Sequence, residues 1–262
     1  MPQIASYKDA EEKKSYFEET GNGPRSIGKI LARVYGYMAI GLIITAAISL
    51  LVAWIFSSRI NSVASLDEKN AWTYGYMGTV IGCGVVILIM TFALPIALAR
   101  NKHSIWPYYI IYAIAMGGLL SAFLLAGVTW YTIGEAFGIT AAGFLVMFLI
   151  GWFSKANITF AGYVVTMILS MALLFGAVWG IIWLINGMTW QQYYTWNLIM
   201  SGIIVVITLI VIAIDSYNIK KTLERGENSS NIVLYCAFVM YSDFIALLIR
   251  VLYILAISQK NN

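Results

Sequence analysis

The chain has little charge. Asp, Glu, Lys and Arg make up only 11% of its 262 residues, while 61% are hydrophobic and 15% aromatic. A soluble domain carries about 25% charged residues. With a mean hydropathy of +0.81, the chain is too apolar to stay in solution and too apolar to be disordered. It has a single histidine, His103, expected in a solvated loop, which argues against a histidine-based metal site. Its two cysteines, Cys83 and Cys236, both fall in apolar runs and read as small packing residues, not as a disulfide. No dense Lys/Arg face with interleaved aromatics accompanies the net charge of +4, so nucleic acid is not an expected partner. No polar stretch is long enough to form a soluble catalytic head.

What the chain does have is long apolar runs. A bilayer core of roughly 30 Å takes about 20 helical residues. Seven runs meet that length, at about 34–56, 77–99, 105–128, 133–153, 158–185, 196–219 and 231–257. They are apolar all round, unlike the alternating strands of a membrane barrel. The expected fold is therefore an all-α integral membrane protein, a seven-transmembrane-helix bundle over 34–257. It is flanked by a polar N-terminal tail, 1–33, and a short C-terminal tail, 258–262. The connectors at 129–132 and 154–157 barely turn the chain and make their flanking helices antiparallel neighbours. No short apolar segment with a cleavage site precedes the first run, so no signal peptide is expected.

Lys and Arg set the orientation. With the N-terminus inside, twelve fall in inner segments, among them Arg25, Lys29, Arg33, Lys220, Lys221 and Arg225; only Arg59, Lys69 and Lys260 fall outside. The N-terminus is expected to be cytoplasmic. The chain ends in no retrieval tetrapeptide, which favours a bacterial cell membrane over the endoplasmic reticulum or another internal membrane.

Within the runs only four charged residues remain: Glu135, Asp215, Asp243 and Arg250. A charge at membrane depth costs at least a few kcal/mol and usually faces a bundle interior or a watery cavity. Runs six and seven are joined by a polar turn at 226–230 centred on Asn228. Asp215 precedes that centre by 13 residues and Asp243 follows it by 15, a depth difference of about 3 Å in a helical hairpin. The two carboxylates can meet. Ser201, Thr208 and Asp215 recur every seven residues on run six, as do Cys236, Asp243 and Arg250 on run seven. A seven-residue step drifts only about 20° around a helix, so each helix carries one polar stripe. Stripes that face each other would lead a narrow seam outward from the acids, with Arg250 level with Thr208.

Two carboxylates in a low-dielectric site cannot both ionise easily, so the pair titrates as a unit. Holding one proton, it can hydrogen-bond across the hairpin and lock the helices; losing that proton adds repulsion. This is the chemistry of a pH-gated latch on a cation path. The bland reading of Asp215, an acid reaching the interface, fits poorly because a helix C-terminus disfavours negative charge. Glu135 either caps the N-terminus of run four, near Gly134-x-x-x-Gly138, or lines a permeation path. Arg250 either pairs with an acid or snorkels outward. Arg100 closes run two as an interface anchor. Gly78-x-x-x-Gly82 reads as a close-approach site between helices, and Pro95 as a kink in run two.

At these residues the sequence resembles the Bax inhibitor-1 (transmembrane Bax-inhibitor-motif) family, over 34–255. The resemblance rests on Val34-Tyr35-Gly36-Tyr37-Met38 in run one and Ala136-Phe137-Gly138-Ile139-Thr140 in run four. It continues in Ala213-Ile214-Asp215-Ser216-Tyr217 and Tyr241-Ser242-Asp243-Phe244-Ile245. It implies a bundle around a central last helix and a pH-sensitive calcium leak with Asp215 and Asp243 as the sensing pair. Arg100 would match the family's basic residue closing helix two, whereas 87–90 is apolar where bacterial members often carry an acid.

Calcium takes six to eight oxygens, more than two aspartates and a few hydroxyls supply. The expectation is transient calcium at Asp215 and Asp243 as a permeant ion, with no cofactor. Protons, calcium and membrane lipid are the expected partners. An enzyme is not expected: the Gly-x-Gly-Asp motif of intramembrane aspartyl proteases is missing before Asp243, and no run contains a His or a Lys. The alternatives are a non-conducting membrane protein that modulates a membrane protease or a stress or cell-death pathway through a membrane-protein partner, and a proton-coupled transporter.

Overall fold

The computed structural model describes residues 24–63, 65–100, 104–154, 190–225 and 229–260. Among them there are only helices: α1 Pro24–Ser62, α2 Leu66–Arg100, α3 Trp106–Leu125, α4 Trp130–Phe153, α5 Trp190–Glu224 and α6 Ser230–Lys260. All six are long and apolar enough to cross a membrane. The chain is a multi-span helical membrane protein. The fifth run, 158–185, lies outside the described residues, as do His103 and the centre of the 226–230 turn.

Most helices overrun their apolar stretches. α1 is 39 residues long and begins at Pro24 instead of near residue 34, because proline is preorganised for a first helical turn. Lys29 and Arg33 are exposed along this extension. At the other end of α1 only 63–65 separates it from α2, whose first turn carries Asp67 and Glu68, where acids suit the helix dipole. Pro95 sits inside α2 without ending it.

The α3–α4 connection is dictated locally. Gly127 takes a left-handed φ of 81°, letting Val128 N–H reach the Phe123 carbonyl and Gly127 N–H the Leu124 carbonyl, each at 3.2 Å. This is the two-bond helix stop that glycine favours. Two residues later Thr129 caps α4 by accepting from Thr132 N–H at 3.3 Å. Ser229 accepts from Ile232 N–H in the same way, at 3.3 Å, and starts α6.

α6 is the axis of the bundle. It packs against each of the other five helices, and 61% of its most apolar window is buried, against 6–50% for the others. Around it α1 and α3 make one close pair, and α4 and α5 another. Gly117 of α3 lies so close to α1 that a Cβ there would stand 2.7 Å from the Thr45 carbonyl and from Ile48 Cβ. A Cβ at Gly151 of α4 would collide with the Ala213 carbonyl of α5. By contrast, Gly78, Gly82, Gly134 and Gly138 have no neighbour within 4 Å of such a Cβ among the described residues, so those spaced glycines seat none of the described helices. Cys83 and Cys236 form no disulfide.

Candidate functional site

α5 and α6 pack side by side and bring the carboxyl groups of Asp215 and Asp243 within hydrogen-bonding reach of each other. Two carboxylates are both acceptors, so a hydrogen bond between them requires one shared proton. Asn218, one turn along α5, stands within reach of Asp215 as well. Asp243 Oδ2 is sealed from solvent and has no hydrogen-bond partner among the described residues. Leaving such an oxygen unpaired costs about 1–3 kcal/mol, more if it is charged.

Among the described residues no cation forms an ion pair with either acid. The only ion pair among the described residues is Lys220 with Glu224 at 4.0 Å. The Lys220 ammonium, five residues beyond Asp215, donates to the Trp152 carbonyl at 2.8 Å and so ties the end of α5 to the end of α4. Tyr112 of α3 lies near Asp243 and Thr91 of α2, while Tyr235 of α6 lies near Asp215. Asn218, Tyr112 and Tyr235 were not singled out by the sequence. Asn218 stands three residues from Asp215, a spacing that makes helix neighbours, so it was accessible; Tyr112 depends on packing.

A second polar knot holds α6 on its other side. The buried Tyr241 and Thr45 hydroxyls bond each other at 2.5 Å, and Thr45 also donates to the Ala113 carbonyl at 3.0 Å. The Tyr109 hydroxyl donates to the Tyr37 carbonyl at 2.9 Å, and its ring meets Tyr241 edge-on at 5.6 Å.

The stripes above the acids do not form an open seam. Ser201 is buried, and Thr208 turns its hydroxyl to its own backbone, at 2.8 Å from the Ile204 carbonyl. Leu209 of α5 and Leu247 of α6 both converge on Gly143 of α4, 3.3 and 3.9 Å from where a Cβ would be. Apolar contact therefore fills the space past the acids. Arg250 is half-buried beside Tyr253 and forms no ion pair within the described residues.

Two placements correct or narrow the expectations. Glu135 does not cap α4: Thr129 does, and Glu135 lies beyond the first turn and is exposed. Arg100 is the exposed last residue of α2, as an interface anchor would be. No cluster of three or more His, Cys, Asp or Glu residues exists among the described residues. The pair by itself offers four carboxyl oxygens, fewer than a calcium cage requires.

Fold and site together define a helical multi-span membrane protein with two acids facing each other between its last two helices. Residues 28–260 match the family model described as inhibitor of apoptosis-promoting Bax1, and the chain belongs to this Bax inhibitor-1 family. It is similar to uncharacterized membrane proteins of Streptococcus pyogenes serotypes M3 and M1. Each is 26% identical over 238 residues, which cover 86% of this chain and 91% of the relative.

Proposed function

We propose that the protein is a pH-sensitive calcium (cation) leak channel of the cell membrane, and that the Asp215–Asp243 pair is its latch. The observation that carries this reading is the approach of the two carboxyl groups to within hydrogen-bonding reach across the α5–α6 pair, without a compensating cation among the described residues. While one proton is shared, the bond holds α6 against α5. When the proton leaves, two like charges face each other in a low-dielectric site and push the helices apart. Calcium is the cargo. A pair of acids gives it a weak, transient stop, which suits a leak and not a buffer.

In this reading the chain crosses the membrane seven times with its N-terminus cytoplasmic, in line with the Lys/Arg count, and it is not an enzyme. Calcium uptake into dye-loaded proteoliposomes across a pH series tests it, with wild type beside Asp215→Asn and Asp243→Asn. Flux should rise with pH in the wild type and lose that dependence in both variants. A wild type that passes no calcium at any pH, while binding a stable membrane partner, would instead support the non-conducting interaction protein.

A further inference from the structure

We propose that the half of the bundle where α1 ends contains a binding site for one phospholipid acyl chain, in a cleft that opens sideways to the membrane between α1 and α4. The cleft has a volume of about 180 Å³, and its floor is formed by Ile245, Leu248 and Leu252 of α6. α1 and α4 both line it, through Ala46 and Phe137 for example; the two helices touch away from the cleft, where Tyr35 meets Phe148 edge-on at 5.4 Å, but leave a gap between their backbones. That gap is its lateral mouth. Leu50, Trp130 and Phe137 on the rim are exposed.

The lining selects the occupant. Thr45 and Ser49 contribute the only side-chain hydroxyls, and both are already engaged, Thr45 with Ala113 and Tyr241 and Ser49 with the Ala46 carbonyl at 3.3 Å. A buried water needs two to four polar partners, and with both hydroxyl hydrogens engaged only acceptor lone pairs and the Trp130 indole at the rim remain; apolar cavities of about 150 Å³ stay dry and accept apolar guests. No charged side chain lines the cleft to hold an ion. The lining falls within apolar helices long enough to span a bilayer, so the mouth faces acyl chains. Trp130 stands at the start of α4, the level at which aromatic side chains meet lipid headgroups. This inference does not depend on the calcium reading.

Photolabelling tests it with the full chain in liposomes containing a phospholipid with a diazirine on its acyl chain. Irradiation followed by peptide mass spectrometry should label Ile245, Leu248 or Leu252, which are buried, in addition to lipid-facing positions such as Ile81 and Leu88, which are exposed. Ala46→Trp fills the cleft and should cut floor labelling about tenfold relative to Ile81, as expected for losing contact with two buried methylenes. Ala46→Ser should label as wild type does. Should Ala46→Trp fail to fold, Leu124→Trp fills the same space from α3. Label confined to exposed faces, or floor label unchanged in the filled variant, overturns the proposal. So does a photo-crosslinker at position 46 that joins a second copy of the chain instead of lipid.

Discussion

A hydrogen bond between Asp215 and Asp243 can exist only while one carboxyl keeps its proton, so the strength of the proposed latch is a function of pH. A hydrogen bond to a charged group is worth about 1.5–3 kcal/mol, equivalent to roughly a 10- to 150-fold change in a two-state balance. The proposed latch closes where the pair holds a proton and weakens as pH rises through the pair's titration. In Asp215→Asn the amide donates to Asp243 at every pH, so calcium flux should stay low and flat; in Asp243→Asn the same bond runs the other way. A pH profile that parallels wild type in either variant would refute the latch. Tyr241→Phe removes one bond from the opposite side of α6. Thr45 keeps the Ala113 carbonyl, so no buried donor is stranded. The expected loss is about 1 kcal/mol, measured as a lower melting temperature in detergent. Hairpin arithmetic alone placed the two acids level. Glu135 shows the limit of that approach: where a helix starts depends on which hydroxyl reaches its free N–H groups, and Thr129 does so.

At the scale of elements, the close contacts arise where one helix's backbone meets another's. Gly117→Val would drive side-chain atoms into the Thr45 carbonyl and Ile48. Overpacking of this kind costs about 1–3 kcal/mol or more. Gly82→Ala meets nothing within 4 Å and should be neutral or stabilise the helix by up to about 1 kcal/mol. Thermal unfolding of the two variants beside wild type checks both; equal losses would contradict the packing described. The sequence drew attention to the spaced pair Gly78 and Gly82, and the structure uses Gly117 and Gly151. Spacing records only that two small residues share a face, not whether another helix lies against that face. The Ser229 cap is local: Ser229→Ala should cost about 1 kcal/mol at the start of α6, seen as faster amide exchange over 230–233.

At the scale of the whole molecule, α6 is the most buried of the described spans and carries both Asp243 and the cleft floor. A shift of α6 against α5 therefore acts at once on the acid pair, on the Tyr241–Thr45 knot and on the α1–α4 mouth. The overall topology is tested by single-cysteine labelling in inside-out and right-side-out vesicles. Positions 29 and 225 should react only from the cytoplasmic face, and position 69 only from the opposite one. Reaction of 29 and 225 from different faces would break the seven-span arrangement.

Scarcity of charge and the length of the apolar runs were enough to establish a helical membrane protein, because the bilayer leaves a backbone no other way to satisfy its polar groups than helices or closed barrels. The same scarcity singled out the two acids, and the short turn between their helices set their common depth, since both follow from counting residues along rigid elements. The rest belongs to the tertiary structure. Which helix becomes the axis, which glycines bear a neighbour's backbone, whether the polar stripes open into a seam or close over Leu209 and Leu247, and where a dry cleft remains between α1 and α4 are set by side chains meeting across helices. In a chain whose spans are apolar on every side, no hydrophobic face marks the contacts in advance; shape complementarity chooses them only when the bundle assembles.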